Sequence, residues 1–326
     1  MAIPVSIIIA TYNRSALLDE CLDHLSRLRF LPGDEVIVVD NGSTDGTAAV
    51  VASHQKRWVA PLRLLHESVP GKSRAIARAA AGANGQILAL TDDDVNVAED
   101  WLHVLRGALA DPAVGLAGGP VKPRWEHTVP WWIRSVADRY PRLAAPIALL
   151  DYGNEQTPLG PRTLLGANLA VKRDVFVKVG GFPAHLGKMR GTLLSGEDHE
   201  LCRRVQAAGF EAIYCPGAAV YHWVPARRAR VGYILRWFYW SGITHAIMDG
   251  ESGPAPGRTI HGFPFYLIPR TVSAAAGFPI DMLRGDLGSA LVRAADVAFS
   301  IGFAAHRWGL TVRGSREAID VTGAPA

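Results

Sequence analysis

The residues best suited to chemistry are Thr91-Asp92-Asp93-Asp94, which close the apolar run Gln86-Ile87-Leu88-Ala89-Leu90. Three adjacent carboxylates at a strand end repel one another, and a bound divalent cation relieves that repulsion. A hard cation held by one or two carboxylates keeps coordination positions open for phosphate oxygens. The triplet therefore points to a metal and a diphosphate-bearing substrate. A solvated acidic loop is the competing reading.

Other polar groups follow other apolar runs. Thr11-Tyr12-Asn13-Arg14 follows the first. A strand-to-helix turn there presents backbone N–H groups that suit a nucleotide or phosphate. Asp40-Asn41-Gly42-Ser43-Thr44-Asp45 follows the second. Its carboxylate can accept from a base N–H while Asn-Gly makes the tight turn, or the segment is an Asx turn with a helix cap. Glu67 and Gly71-Lys72-Ser73-Arg74 form a third loop. Lys72 and Arg74 would offset phosphate charge or bond a base carbonyl; a solvated helix start is the alternative. Asp198 stands in Gly196-Glu197-Asp198-His199-Glu200, where acidic residues also serve as a helix charge cap. His222, beside Trp223, is a ligand or a structural histidine.

The elements that position these groups alternate between strand and helix. Val5 to Ala10, Glu35 to Val39, Leu62 to His66 and Gln86 to Leu90 read as buried strands. Helices are predicted over Ser15 to Leu28, from Ala48 through Val51 with Thr44 or Asp45 as cap, over Gly71 to Ala83 and over Asp100 to Leu109. Such βαβα order implies a mostly parallel sheet with helices on both faces, whose ligands bind at the carboxyl ends of the strands. Asn13, Asp40, Glu67 and Asp92 to Asp94 should therefore converge. A strand at Thr163 to Val171, a helix at Glu197 to Ala208 and strands at Glu211 to Tyr214 and Ala218 to His222 follow. Residues 121–162, with Pro130-Trp131-Trp132-Ile133-Arg134, read as an insertion or lid.

The 326 residues allow one large domain with an appendage, and 49% hydrophobic content supports a sizeable core. A net charge of +4 is too weak to argue for nucleic acid. Cys21, Cys202 and Cys215 lack CxxC spacing, which argues against a zinc ribbon or disulfide framework and suits a reducing compartment. Ile3 to Ala10 lacks a basic leader region and reads as a strand. No run of 18 or more uncharged apolar residues occurs, so no transmembrane helix is expected.

Taken in order, TYNR, DNGSTD, E…GKSRA, TDDD, GANLAVKRDVF, GEDHEL and YH resemble the family 2 glycosyltransferases of GT-A fold, over roughly residues 3–225. The resemblance implies inverting transfer of one sugar from a nucleotide-diphospho-sugar, UDP-sugar favoured, with Mg²⁺ or Mn²⁺. It implies that Thr11, Tyr12, Asn13 and Arg14 line the nucleotide site, with Glu67 and Lys72 on the same edge. Asp40 would bond the base and Arg74 would sit near base or phosphate. Asp92 would face ribose or sugar, and Asp94 would hold the metal with His222, Asp93 being an alternative ligand. Asp198 matches the general base of the family's ED motif, with Glu197 beside it. Gly166, Ala167 and Asn168 would flank the acceptor and donor sugar. Ala77 departs from the Asn of many relatives. Tyr233-Ile234-Leu235-Arg236-Trp237 keeps the RW of processive synthases but lacks their Gln, which favours single-sugar transfer. A sugar nucleotidyltransferase lacks support, because TYNR replaces its Gly-rich, lysine-containing signature. A non-catalytic membrane-associated scaffold is disfavoured by the intact Asp94 and Asp198.

The expected organisation is a catalytic GT-A domain at 1–225 and an amphipathic helical region at 226–326. In the latter, Arg227-Arg228-Ala229-Arg230, the aromatic run to Trp240, Phe263 to Arg270 and the stripe in 287–306 would suit an anionic membrane surface. A packed subdomain or homodimer is the other reading. The implied setting is the cytoplasmic face of the cell membrane, with a glycan or lipid-linked acceptor for cell-surface polysaccharide.

Overall fold

The computed structural model describes residues 3–128, 133, 139–183, 185–187, 192–251 and 259–310. Of the segment read as an insertion, residues 129–132 and 134–138, with Trp131, Trp132 and Arg134, lie outside the described residues. The chain divides into two compact units. The first comprises Met1–Arg124, Ala148–Gly187 and Gly196–Trp223; the second comprises Trp125–Ile147, Lys188–Ser195 and Val224–Ala326.

The first unit is a mixed α/β structure. Strands β1 (Val5–Thr11), β2 (Glu35–Asp40), β3 (Leu62–His66) and β4 (Ile87–Asp92) pair in parallel, in the order β3-β2-β1-β4. The apolar runs of β1, β2 and β4 are buried, as a sheet covered on both faces requires, while edge strand β3 is partly covered. Helices α1 (Ser15–Leu25), α2 (Thr47–Gln55), α3 (Lys72–Ala81) and α4 (Trp101–Ala108) cover the sheet. On α1, Leu18, Cys21, Leu22 and Leu25 recur at helical spacing and are fully buried. Helix α2 starts where Asp45 Oδ1 accepts from the Thr47 amide at 3.1 Å.

The sheet continues through β6 (Val114–Gly118), β8 (Thr157–Pro158), β9 (Asn168–Lys172) and β10 (Glu211–Tyr214), giving eight strands in the order β3-β2-β1-β4-β9-β6-β10-β8. One departure from a purely parallel sheet is functional in position. Strand β9 lies between β4 and β6 and runs antiparallel to both, setting Asn168 opposite Thr91. Helix α5 (Arg173–Lys178) follows β9, and α6 (Glu197–Ala207) precedes β10. A second sheet has the order β5-β11-β7, from Val95–Val97, Val220–Val224 and Val121–Trp125. Within it His222 faces Val95 across an antiparallel pair. The thiols of Cys21, Cys202 and Cys215 are free and buried.

The second unit is built on α7 (Val231–Glu251), α8 (Leu267–Leu283) and α9 (Leu287–Arg307). Backbones of α7 and α9 approach closely enough that a Cβ on Gly242 would lie 2.0 Å from the Phe299 carbonyl, and one on Gly302 1.9 Å from that of Tyr239. Only glycine fits either position. Ile234, Phe238, Leu291, Ala295 and Leu143 form one apolar cluster, and Trp240, Ile243 and Leu194 another. The aromatic run of α7 is thus largely packed inside this unit. Arg228, expected at a basic surface, is buried at 8% exposure, whereas Arg227 and Arg230 are exposed. Helix α9, of 21 residues, contains an 18-residue window with a mean hydropathy of 1.4, long and apolar enough to cross a membrane by length and composition, and 33% of that window is buried; the window includes Arg293 and Asp296. Its charges are internally matched: Arg293 donates to Asp281, and Asp296 accepts from Arg142 and Arg270.

Candidate functional site

Four parallel strand ends and their loops form one polar edge of the first unit. The register sets Thr11 opposite Asp40, and Ala10 opposite Asp92. The loops are then tied to one another by side chains. Asn13, at φ +50, receives the Thr44 amide on Oδ1 at 2.7 Å and donates its own amide to Ser43 Oγ at 2.9 Å. Asp40 Oδ1 accepts from the Ser43 amide at 2.8 Å. Asn41 reaches the third loop: its Nδ2 donates to the Glu67 and Val69 carbonyls, and its Oδ1 accepts from the Gly71 amide, each at 2.8 Å. Sequence reasoning assigned Asn41 only to a turn; two side-chain polar atoms after a strand are the signal it left unused. Glu67 Oε1 accepts from the Val69 amide, fixing its own loop. Tyr12 is 39% exposed on this edge, and Arg74 lies half-buried on the first turn of α3.

The three aspartates have three different surroundings. Asp93 is buried and turned toward Thr11, whose Oγ1 donates to it at 2.8 Å. Arg14 Nη1 lies 2.9 Å from both Asp93 Oδ1 and Asp94 Oδ2. Burial, reinforced by Asp94 and Asp92 and opposed by Arg14, pushes the Asp93 carboxyl up to about 6. Burial works to lower the Arg14 guanidinium, but Asp93 and Asp94 outweigh it and raise its pKa. Asp92 carries the Lys72 ammonium as an ion pair. Burial likewise opposes the Lys72 charge, and Asp92, then Glu197, then Asp198 more than compensate.

Asp94, Asp92 and His222 each offer one ligand atom, and these atoms lie within 4.8 Å of one another. Strand β11 holds this geometry, since the Trp223 amide donates to the Asp94 carbonyl at 2.8 Å. His222 Nε2 stands 3.4 Å from Asp94 Oδ1, an oxygen that is buried and accepts no hydrogen bond. A buried acceptor left so is costly, and a cation satisfies it. Two carboxylates and an imidazole form a donor set for a divalent cation, which is the cofactor they serve. Asp93, committed to Thr11 and Arg14, stands outside the group.

Asp198 lies on the first turn of α6, after Gly196 at φ +117. Its Oδ2 accepts from the Gly166 amide at 3.1 Å and its Oδ1 from the His199 amide at 2.8 Å. A Cβ on Gly166 would lie 3.7 Å from Lys72 Nζ and 4.0 Å from Asp198 Cβ. Gly166 therefore lies next to both the Lys72 ammonium and the Asp198 side chain. Glu197 is buried beside them. Ala167 presents its carbonyl to Thr91 Oγ1 at 3.1 Å. Asn168, expected beside a sugar, is instead a brace. It is 0% exposed, accepts from Trp101 Nε1 at 2.8 Å and donates to the Pro120 and Ala218 carbonyls. A side chain with no surface and no spare donor cannot also bind substrate.

This architecture is shared with known proteins. The profile of glycosyl transferase family 2 matches residues 6–179. The chain belongs to that family and is a glycosyltransferase dependent on a nucleotide-sugar. It is 23% identical to the glucosyl-dolichyl phosphate glucuronosyltransferase of Haloferax volcanii, over 75% of this chain and 77% of that one. It is 28% identical to glycosyltransferase AglE of the same organism, over 68% and 67%. Among solved structures, the mannosyltransferase PcManGT from Pyrobaculum calidifontis, in complex with GDP-Man and Mn²⁺, superposes with a TM-score of 0.65 at 22% identity. That match covers 94% of this chain and 88% of the other. It shows a common GT-A fold.

Proposed function

We propose that this glycosyltransferase moves one hexosyl unit, with inversion, from a nucleotide-diphospho-sugar to a glycan or lipid-linked acceptor in cell-surface polysaccharide synthesis. The observation that carries the reading is the Asp92–Asp94–His222 cluster, whose ligand atoms lie within 4.8 Å of one another and include the buried Asp94 Oδ1 that accepts no hydrogen bond.

In this reading Asp94, His222 and Asp92 hold Mg²⁺ or Mn²⁺, which when bound supplies positive charge against the leaving diphosphate. Thr11, Tyr12, Asn13 and Arg14 border the nucleotide, Asp40 meets the base, and Arg74 and Lys72 offset phosphate charge. Lys72 keeps Asp92 oriented. Asp198, fixed by two backbone amides yet retaining lone pairs, accepts the proton of the attacking acceptor hydroxyl. The acceptor oxygen forms its bond to the anomeric carbon on the face opposite the departing diphosphate, so the configuration inverts. The YILRW departure favours a non-processive, bacterial-type enzyme. Residues 1–225 would form the catalytic part and 226–326 a helical region that attaches peripherally to the cytoplasmic face of an anionic membrane. Names of relatives that act on dolichyl phosphate sugars lend the lipid-linked acceptor its support.

Calorimetric titration of nucleoside diphosphates with and without Mn²⁺ tests the reading. Metal-dependent binding of UDP, lost in Asp94→Ala, is expected; GDP in its place would revise the base alone. No metal-dependent binding of any nucleotide would end it.

A further inference from the structure

We propose that the outward apolar face of the α8–α9 hairpin, at Met282, Leu283 and Leu287, beds into the interface of an anionic lipid bilayer, with Arg284 at the level of the lipid phosphates. The inference rests on the peripheral reading above and names the surface and the mode of attachment.

Helix α8 is apolar on its outward face as well as on its inward one. Its buried positions are Leu267, Ala274, Gly277 and Asp281. The acidic residue among them is matched by Arg293 of α9, and Arg270, at the start of the helix, is matched by Asp296. The outward positions are apolar instead: Val272 is 63% exposed, Ile280 47%, Met282 47%, Leu283 90% and, on the next helix, Leu287 64%. From Thr271 to Leu283 no exposed side chain carries a charge. A helix facing water has the reverse arrangement, and a contiguous apolar surface of this kind marks an interaction site.

Charge and shape select the occupant. The turn after Leu283 is Arg284-Gly285-Asp286, with Gly285 at φ +72. Asp286 is used inside the fold, accepting from the Ser289 amide at 3.0 Å and from its hydroxyl at 2.8 Å. Arg284 is exposed beside the most exposed leucine of the hairpin. A cation bordering an apolar tip complements lipid phosphates above hydrocarbon. Anionic lipid neutralises that cation, whereas a second copy of the chain docked on the same face would bring a like charge to it.

The native thiols are buried, so a single Met282→Cys substitution accepts a polarity-sensitive dye at the tip, with Val59→Cys, at a 91% exposed site, as control. Vesicles of phosphatidylcholine and phosphatidylglycerol should blue-shift the dye at 282, with quenching by brominated lipid, and leave the dye at 59 unchanged. Phe278→Ser with Leu283→Ser, checked for folding by circular dichroism, should weaken vesicle partitioning about tenfold or more. Vesicle binding with no shift at 282 would overturn the inference and leave peripheral attachment standing. No vesicle binding would remove both. A concentration-dependent shift without vesicles would assign the face to a second copy of the chain and overturn the inference.

Discussion

Thr11 Oγ1 donates to Asp93 Oδ2 at 2.8 Å, and through that bond the first strand ties the middle aspartate outside the cluster its neighbours form with His222. Asp92 and Asp94 are left to face His222. The division of labour within the triplet is therefore set by a hydroxyl 82 residues upstream.

Asp198→Asn should lower kcat by about 10² to 10⁴, the range of a lost general base, with nucleotide affinity nearly unchanged. Asp94→Ala should instead weaken metal-dependent nucleotide binding. Steady-state kinetics paired with calorimetry separates the two. The reverse pattern would exchange the assigned roles.

Arg14 supplies a resident positive charge to Asp93 and Asp94. Arg14→Ala should destabilise the metal-free protein by on the order of 2 kcal/mol, between the values of exposed and buried pairs. Added Mn²⁺ should then raise the melting temperature of the variant more than that of the parent. Equal shifts in the two proteins would show that Arg14 does not buffer the cluster.

Asn168→Ala would leave the Trp101 N–H and the Ala218 carbonyl without the partner Asn168 supplies in a dry interior, while the Pro120 carbonyl keeps the Val220 amide. Each costs about 1–3 kcal/mol unless water enters, so this should rank among the most destabilising changes near the site. Urea unfolding measures it. A change under about 0.5 kcal/mol would remove the brace assignment.

Glu200 provides a pH signature. Hydrogen bonds from Arg203 and then Arg204 outweigh the opposing effect of burial and hold its carboxyl down to about 2. A folded pKa below the unfolded one contributes stability that is full above about 4.5 and is lost as pH falls toward 2. Glu200→Gln should flatten the stability profile across that window and lower stability at neutral pH. Parallel acid-denaturation curves for the two proteins would contradict this.

Much of the catalytic edge was legible because parallel strands deliver their following loops to one side. Thr11, Asp40, Glu67 and the aspartate triplet could be placed from apolar runs alone. His222 was legible as a histidine at a strand end. The Gly-containing strand Val114–Gly118 carries too weak a pattern to announce itself, and with it went the antiparallel seat of β9. Asn168 reads in one dimension as a polar residue within the strand predicted over Thr163 to Val171, whereas its burial depends on Trp101, Pro120 and Ala218, which come from three separate segments. Arg228 and the α8 face failed for a shared reason: composition reports how many charged or apolar groups a segment has, and tertiary packing decides which way they point.

The interleaving of the two units has a consequence for synthesis on the ribosome. Asp92 and Asp94 emerge long before β9 can take its seat beside β4, and His222 emerges later still. Until then the nascent chain carries an unfinished sheet edge and a carboxylate cluster with only Arg14 and Lys72 to steady it. Completion of the cation site thus coincides with closure of the sheet, so a released chain that has acquired its metal has also passed its own folding checkpoint.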